Sequence, residues 1–206
     1  MDGSIPKRTP ERILDAAMSL FAERGYEATS VGAIEMAAGL APRSGALYQH
    51  FEGKGDVLEK ALERQMAVLD ELETSLADLD LGDLRAELTV MARWNLSSLD
   101  QRRELAMFLR RDGDRLPDAL REKLYRRLVE EPYAEVVRWL RARLEAGGGQ
   151  EPDYQALALI LIEPMSTYRS LQWLFGKTPG DITDDRFVET WVDICLAYAR
   201  HLEDRH

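Results

Sequence analysis

Residues 29–54 read TSVGAIEMAAGLAPRSGALYQHFEGK, and this stretch predicts two short helices joined by a turn. The first helix follows a hydroxyl residue, Thr29 or Ser30, whose side-chain oxygen can accept a hydrogen bond from a first-turn N–H. Gly39 then supplies a residue that tolerates the left-handed conformation in which helices end. Two short helices around such a turn are typical of a helix-turn-helix.

The second predicted helix has an inner face and an outer face. Leu47 and Phe51 are four residues apart, so they point inward together. The remaining positions carry small or hydrogen-bonding side chains, which suit a helix that enters the major groove of DNA. These outward positions are Arg43, Ser44, Gly45, Ala46, Tyr48, Gln49 and His50. The stretch therefore predicts a DNA-binding protein.

A further helix precedes this stretch. Thr9, Pro10 and Glu11 form a helix start, with a hydroxyl cap, a proline at the first helical position and an acid after it. Apolar residues then recur at helical spacing as far as Gly25. We expect a three-helix core in which they pack against the next two helices. The predicted core residues are Ile13, Leu14, Ala17, Leu20, Phe21, Val31, Ile34, Leu47 and Phe51.

Residues 12–31, 37–40 and 46–54 resemble the DNA-binding domain of the tetracycline-repressor-like (TetR) family of bacterial regulators. The matching segments are RILDAAMSLFAERGYEATSV, AAGL and ALYQHFEGK. In that family the tyrosine and histidine of the LYxHF segment, and the lysine after it, contact DNA phosphates. The resemblance therefore implies these roles for Tyr48, His50 and Lys54. With Thr29 and Ser30 at the first helix, the predicted DNA-binding set is completed by Arg43, Ser44, Gly45, Ala46 and Gln49.

This chain departs from the family pattern at two places. The turn, residues 40–45, is longer by about two residues than the commonest family pattern. The recognition helix therefore starts either at Pro42, a favoured first helical residue, or after a Ser44 cap. Gly32 stands where the family often has a basic residue, which would remove one contact to the DNA backbone.

Composition predicts a soluble cytoplasmic protein. The chain has 206 residues and one cysteine, Cys195, so an internal disulfide is excluded. The first residues, MDGSIPKRTPER, lack the apolar core of a signal peptide. The longest apolar run, residues 156–162, is far shorter than the ~20 residues that span a bilayer.

The charge is acidic, with a net value of −10. Residues 1–56 hold six basic and eight acidic side chains, and the rest of the chain holds 21 basic and 29 acidic ones. The predicted DNA-binding domain is thus less acidic than the remainder, but it is not basic. We expect weak non-specific binding and a modest salt dependence. The acidic balance also leaves open a helical interaction module that has lost DNA binding.

Apolar periodicity in the rest of the chain predicts an all-α protein with about nine helices and no strand. We expect an N-terminal three-helix DNA-binding domain with the helix-turn-helix in residues 1–55, and a helical effector-binding and dimerisation domain in residues 56–206. A long helix from Asp56 to about residue 79 would connect the two domains and transmit movement between them. Pro132 predicts a kink or a break near Glu131, and Pro164 predicts an interruption. Asp184 or Asp185 would cap the last helix.

The last two helices carry more large apolar side chains than one small core needs. A two-fold operator requires a dimeric helix-turn-helix protein, so we predict that these helices form a homodimer interface. The family resemblance implies the same interface. The predicted residues are Leu171, Trp173, Leu174, Phe187, Trp191, Ile194, Tyr198 and Leu202.

The resemblance also implies a cavity among the middle helices for an unknown small-molecule effector. Large side chains of the type that line such cavities occur there, although a stripe of them is more often ordinary core. The candidate ligand-binding residues are Met91, Trp94, Phe108, Tyr125, Tyr133, Glu163, Met165, Tyr168 and Arg169.

An enzyme is the rival class. The three histidines and one cysteine are not spaced for zinc, and no GxGxxG or Walker loop occurs. We therefore predict no catalytic residue, metal or cofactor, and no membrane partner. The favoured hypothesis is a ligand-responsive transcriptional regulator, by family habit a repressor, that binds a near-palindromic double-stranded DNA operator as a dimer and is released by its effector.

Overall fold

The protein is all-α in the residues that the computed structural model describes, which are 8–73, 81–144 and 151–204. These residues form nine α-helices and no strand, which confirms the predicted fold class. Four short 3₁₀ or π segments lie between the helices. The helices are α1 (Thr9–Arg24), α2 (Val31–Ala37), α3 (Lys54–Glu73), α4 (Leu84–Gln101), α5 (Arg103–Asp112), α6 (Asp118–Tyr125), α7 (Glu131–Arg143), α8 (Tyr154–Phe175) and α9 (Asp184–Glu203).

The chain divides into two compact units. Unit 1 contains residues Met1–Glu71 and Arg102–Glu122, and unit 2 contains Leu72–Gln101 and Lys123–His206. The helix α5 thus belongs to the same compact unit as the predicted helix-turn-helix. The functional boundary between residues 55 and 56 stays a prediction.

Unit 1 is built around α1, which packs against both α2 and α5. Ile13, Phe21, Ile34 and Leu47 are fully buried, as the three-helix core predicts. The core also extends to α5, because the ring centroid of Phe108 lies 6.2 Å from that of Phe21. Burial of these large apolar side chains supplies most of the stabilisation of such a small unit.

Unit 2 is held by contacts of α8 with α4 and α7, and of α4 with α9. One buried cluster joins α4, α8 and α9, and a second, around Leu140, Tyr154 and Ala158, joins α7 and α8. The half-buried side chains of Trp139 and Leu161 pack against both clusters, so the two cores are continuous. The buried members of the first cluster are Leu88, Ala92, Leu96, Met165, Tyr168, Val188, Trp191, Val192 and Cys195.

Several predicted helix ends change in the structure. The first cap is Arg8 rather than Thr9, because the Arg8 N–H donates to the Glu11 carboxylate over 3.0 Å. Thr183, and not Asp184 or Asp185, caps α9 and accepts from the Arg186 N–H. Each shift is one or two residues, within the ordinary uncertainty of helix ends.

The two internal prolines behave differently. At the position of the predicted kink or break, a π-helical segment, Arg126–Glu130, lies between α6 and α7 just before Pro132, and the backbone stays helical through it. The predicted interruption at Pro164 is wrong, because α8 continues through this residue as one helix. A proline removes one helical hydrogen bond, and the packing of α8 against α4 and α7 offsets that loss. The predicted end of the long helix near residue 79 lies outside the described residues.

Across the described part of the chain, we find no helix with the length and apolar character needed to cross a membrane.

Candidate nucleic-acid interface

The first helix of the predicted motif has the expected caps. The Ser30 hydroxyl accepts from the Ala33 N–H over 3.2 Å, so Ser30 rather than Thr29 is the N-cap of α2. Gly39 has φ +70°, and the next N–H, that of Leu40, donates to the Glu35 carbonyl over 2.8 Å. Arg12 of α1 donates to the Ala38 carbonyl, and its Nη2 would lie 2.7 Å from a Cβ on Gly39. The positive φ is what favours glycine here, since the Arg12 guanidinium is the end of a flexible side chain that can shift.

Thr29 is buried, with only 1% of its surface exposed. Its hydroxyl donates to the Gly25 carbonyl over 2.8 Å and stabilises the turn after α1. The sequence pattern placed Thr29 among the DNA-binding residues because hydroxyls at a helix start often face solvent. The structure leaves no Thr29 side-chain atom for a DNA contact.

The segment after the turn, residues 46–51, which we call the recognition segment, is not the expected α-helix. It contains one 3₁₀ helix, Leu47–Gln49. The N–H groups of Tyr48 and Gln49 donate three residues back, to Gly45 and Ala46, and only the Phe51 N–H bonds four residues back. The chain thus places a tight 3₁₀ turn where a recognition helix was expected.

The connecting turn, residues 40–45, explains this difference. Arg43 and Gly45 have φ values of +61° and +76°, which a right-handed helix cannot contain. Pro42 therefore does not begin a helix. The Ser44 hydroxyl accepts from the Ala46 N–H over 3.3 Å, so the alternative start after Ser44 is nearer to the structure.

The buried side chain of Glu35 holds this turn in place. Its side chain is fully buried on α2, and its carboxylate accepts from the N–H of Arg43 over 2.7 Å and from the N–H of Leu47 over 3.2 Å. A carboxylate that accepts two backbone N–H groups satisfies donors that no helix satisfies here. Sequence inspection missed Glu35, because an acid on a short helix next to charged residues is usually solvated.

The recognition segment presents the predicted side chains outward. Leu47 is fully buried and Phe51 is 5% exposed, which confirms their inward orientation. Tyr48 is 60% exposed, and Gln49 and His50 are also exposed. In the neighbouring turn, Arg43 and Ser44 are exposed while Gly45 and Ala46 are half-buried, and Ser30 is exposed at the start of α2.

Lys54, predicted to bind phosphate, is engaged within unit 1. Its ammonium donates to the Tyr26 carbonyl over 2.8 Å and lies 4.2 Å from the centroid of the Tyr26 ring. The N–H of Tyr26 in turn donates to the buried Asp112 carboxylate of α5 over 3.1 Å. Lys54 thus joins the start of α3 to the turn after α1, and its role in DNA binding stays a prediction.

The candidate ligand-binding residues do not form one cluster. Phe108 lies in the core of unit 1, against Phe21, so it is a core residue. Tyr125 is 54% exposed, and Glu163 is exposed. Met165 is buried in the main core of unit 2, while Met91 and Trp94 are half-buried on α4.

Arg169 and Tyr168 take part in a network that links α4, α8 and the start of α9. The Arg169 guanidinium donates to both oxygens of Asp184, over 2.9 and 2.7 Å, and lies 3.2 Å from Asp100. The hydrogen bond from Arg169 holds the pKa of Asp184 down to about 2. Burial, and then the hydrogen bond to Asp184, raise the pKa of Tyr168 to about 12. These polar groups are satisfied within unit 2.

Three buried polar atoms of unit 2 have no hydrogen-bond partner among the described residues. They are the Asn95 side-chain oxygen on α4, and the Tyr133 hydroxyl and the Trp139 indole nitrogen on α7. Burial, and then the negative charge of Glu163, raise the pKa of the Tyr133 hydroxyl. Unpaired buried polar groups are rare in folded proteins, and each needs a reason.

The predicted dimer residues divide into buried and exposed sets. Trp191 is 9% exposed, and its indole N–H donates to the Leu161 carbonyl over 3.0 Å, so it belongs to the core. Phe187 stacks on Tyr168 with centroids 4.2 Å apart, and Leu171, Trp173 and Leu202 are half-buried. The exposed members are Leu174, Ile194 and Tyr198, together with Ile160 and Phe175, which the sequence pattern did not single out.

The groups that an enzyme would use are dispersed. Burial raises the pKa of the Cys195 thiol to about 12, so it is protonated at neutral pH. His50 is in unit 1 and His201 in unit 2, and both are exposed. Among the residues that the structure describes, no three His, Cys, Asp or Glu side chains are placed to hold a metal ion.

The capped α2, the connecting turn and the exposed recognition segment occupy the positions of a helix-turn-helix, with a 3₁₀ turn in place of the second α-helix. Residues 13–61 match the family model described as bacterial regulatory proteins, tetR family. This N-terminal part of the chain is thus similar to the DNA-binding domain of that family.

Two curated relatives resemble the chain over part of its length. The transcriptional regulator AcrR of Shigella flexneri is 34% identical over 103 residues, which cover 49% of this chain and 47% of AcrR. The transcriptional repressor KstR2 of Rhodococcus jostii (strain RHA1) is 35% identical over 100 residues, which cover 48% of this chain and 46% of KstR2. The chain thus spans about half the length of the curated relatives it matches.

Solved structures share the fold over most of the chain. The TetR-family regulator PfmR of Thermus thermophilus has a TM-score of 0.67 at 22% identity, covering 89% of this chain and 96% of PfmR. AibR, in complex with isovaleryl coenzyme A and operator DNA, has a TM-score of 0.66 at 18% identity, covering 91% and 97%. FadR of Bacillus subtilis, in complex with stearoyl-CoA, has a TM-score of 0.62 at 20% identity, covering 89% and 96%. At these identities the likeness concerns the fold.

Proposed function

We propose that this protein is a ligand-responsive transcriptional repressor of the bacterial cytoplasm, which binds a near-palindromic operator as a homodimer and is released by a small molecule. One observation carries the DNA-binding part. Tyr48, Gln49 and His50 are exposed side by side on a segment whose inner residues, Leu47 and Phe51, are anchored in the core of unit 1.

The exposed groups suit DNA contact in two ways. The Gln49 amide can pair with the edge of a base, while the Tyr48 hydroxyl, the His50 ring and the Ser44 hydroxyl can donate to phosphate oxygens. Because residues 1–56 carry more acids than bases, non-specific attraction is small. Specific contacts must therefore supply most of the affinity, and non-operator duplexes should bind weakly.

Dimerisation is supported by the exposed apolar side chains of α8 and α9. Ile160, Leu174 and Phe175 on α8, and Ile194 and Tyr198 on α9, expose between 37% and 67% of their surface. A contiguous patch of such groups marks an interaction site, and we propose that these side chains form one. A two-fold interface uses the same surface on both copies, so α8 and α9 of one copy would meet α8 and α9 of the second.

Light scattering after size-exclusion chromatography tests this interface with the Ile194→Asp variant. The wild-type protein should elute with twice the mass of the chain and the variant with its single mass. Val90→Asp is the matched control, because Val90 is an exposed apolar residue of α4. Equal oligomeric states for wild type and Ile194→Asp would contradict the proposed surface.

The effector part is supported by the unpaired atoms of Asn95, Tyr133 and Trp139. A bound molecule with an apolar body and a few hydrogen-bonding groups would satisfy these atoms while it buries apolar surface. FadR and AibR share this fold and were solved with acyl-CoA thioesters, so such thioesters are the first compounds to screen.

Release requires that the effector prefers the state that does not bind DNA. Titration of acyl-CoA thioesters into the protein–operator complex tests this, with Tyr133→Phe as a variant that keeps the ring and loses the unpaired hydroxyl. The variant should keep operator affinity and lose response to the effector. An effector response equal to that of the wild type would exclude Tyr133 from the ligand site.

The alternative is a helical interaction module of the same fold with weak or absent DNA binding. The net charge of −10 is the observation that favours it. Random-sequence selection separates the two hypotheses, because an interaction module should enrich no duplex, whereas a repressor should enrich one near-palindromic family of sequences.

A further inference from the structure

The turn that replaces the start of the recognition helix carries an exposed arginine in a fixed position. Arg43 has φ +61°, a conformation that costs an arginine free energy and that the surrounding structure must impose. Its N–H donates to the buried Glu35 carboxylate over 2.7 Å. The backbone of Arg43 is therefore held from inside unit 1, while its side chain is exposed.

The Arg43 side chain lies across the start of α2. Its Cγ would be 3.6 Å from a Cβ placed on Gly32, an ordinary van der Waals distance, so the Arg43 side chain lies close to Gly32. The guanidinium makes no hydrogen bond or ion pair with any residue that the structure describes.

Residues 29–54 contain only two cationic side chains, Arg43 and Lys54. The Lys54 ammonium already donates to the Tyr26 carbonyl and lies against the Tyr26 ring. Arg43 is therefore the cation in this stretch that remains available to an external anion. In a unit with more acids than bases, one such group has a large share of the attraction for DNA.

We infer that Arg43 is the main phosphate contact of the helix-turn-helix, and that buried Glu35 is the positioning residue that holds it over Gly32. This inference rests on the proposed DNA-binding function and names residues through which it acts. The planar guanidinium can donate two parallel hydrogen bonds to one phosphate, a geometry that fixes the register of the protein on the duplex. The side chains of the recognition segment would then contact the edges of the bases.

Fluorescence anisotropy of a duplex that the full-length wild-type protein binds, measured at several salt concentrations, tests Arg43 directly. Arg43→Ala keeps the strained backbone position and loses the charge. We expect roughly tenfold weaker binding, to the same extent for all sequences, and a slope of log K against log salt that falls by about 0.9 per half-site. Loss of one base preference with an unchanged slope would overturn the phosphate assignment.

A second-site replacement tests the position of the charge. In the Arg43→Ala background, Gly32→Arg returns a guanidinium to the same surface, and Gly32→Ala is the matched control for any stabilisation of α2. Gly32→Arg should restore most of the affinity and the salt slope, and Gly32→Ala should restore neither. Equal effects of the two replacements would overturn the inference.

The Glu35→Gln variant distinguishes a positioning role of Glu35 from an effect of its negative charge on DNA binding. Removing a negative charge near bound DNA should strengthen binding if electrostatics alone acts, because the repulsion of phosphates falls. The positioning role predicts weaker binding, since an amide can no longer accept from both N–H groups. It also predicts that Arg43→Ala has little further effect in this background. Stronger binding, or full additivity of the two changes, would overturn the role of Glu35.

The outcomes also distinguish this inference from the function on which it rests. A wild-type protein that binds no duplex after random-sequence selection overturns both. A wild-type protein that binds its duplex, with Arg43→Ala unchanged, overturns the inference alone.

Discussion

Glu35 in unit 1 and Arg169 in unit 2 are both buried charged side chains, but they have different kinds of partner. The Glu35 carboxylate accepts from backbone N–H groups of the turn that follows its own helix. The Arg169 guanidinium is paired mainly with side chains, those of Asp184 and Asp100 on α9 and α4, besides a longer bond of 3.5 Å to the Leu96 carbonyl. Backbone partners fix the path of one segment, whereas side-chain partners join helices.

This difference predicts separate consequences for the two units. Loss of Glu35 should alter the local conformation of the DNA-binding surface, and loss of the Arg169 pair should lower the stability of unit 2. The tryptophans make the separation measurable, since Trp94, Trp139, Trp173 and Trp191 all lie in unit 2. Tryptophan fluorescence therefore follows unit 2, and hydrogen exchange measured at the amides of α2 follows unit 1.

The largest effect is expected for Glu35→Leu. Leucine fills part of the space and accepts no hydrogen bond, so two N–H groups lose their partner and unit 1 should lose roughly 2–4 kcal/mol. Hydrogen exchange in α2 should accelerate while the fluorescence transition in urea stays in place. Glu52→Leu, at an exposed acid near the recognition segment, is the control. A shift of the fluorescence transition as large as the exchange effect would show that the loss of Glu35 does not act on unit 1 alone.

A smaller effect is expected for Asp184→Asn, which weakens the pair with Arg169. We expect a loss of about 1–2 kcal/mol from unit 2 at neutral pH, because Arg169 is buried but the Asp184 carboxylate is half-exposed and screened by water. The urea midpoint followed by tryptophan fluorescence measures it. Asp185→Asn, in an exposed pair with Arg93, should change little.

The same variant has a defined dependence on pH. The pKa of Asp184 is about 2 in the folded protein against an ordinary 3.8, so the charged carboxylate stabilises the fold above pH 3.8. That stabilisation is lost as the pH falls from about 4 to about 2. The difference between wild type and Asp184→Asn should shrink over this range, and a constant difference would contradict the linkage.

The smallest effect is expected for Thr29→Val. The change removes the hydroxyl that donates to the Gly25 carbonyl and should cost about 1 kcal/mol of unit 1 stability. DNA affinity of the folded protein should not change, because Thr29 is buried. Thr29→Ser, which keeps the hydroxyl, should behave more like the wild type in stability. Weaker DNA binding by the folded Thr29→Val protein would contradict this prediction and indicate that Thr29 takes part in DNA binding.

Local patterns were sufficient for the parts of unit 1 that depend on local physics. Ser30 as a cap, Gly39 as the helix end, and Leu47 with Phe51 as inward residues all follow from spacing and backbone preference. The family resemblance added the function of the motif, because it matched many positions at once.

The recognition segment could not be predicted in the same way. The two extra residues of the turn pointed to a difference, but the left-handed Arg43 depends on the buried Glu35 carboxylate, a contact made through the fold. Arginine is not a residue that ordinarily signals this conformation.

The sequence predicted the helices of unit 2 but not the contacts that their side chains make. Trp191 and Arg169 are amphipathic side chains that serve an interface, a ligand or a core equally well, and only the helix packing shows which atoms they bind. Phe108 was assigned to the ligand cavity because its helix lies mid-chain, whereas α5 packs against α1. Sequence position gives no information about such long-range packing.

The central claim is that the exposed face of the recognition segment binds operator DNA, and fluorescence anisotropy on duplexes from random-sequence selection tests it most directly. Wild type, Tyr48→Ala and the control Val129→Ala, at an exposed residue of unit 2, would be compared at two salt concentrations. We predict tight binding of one near-palindromic duplex by wild type and control, and its loss in Tyr48→Ala. Equal binding by all three proteins would contradict the claim.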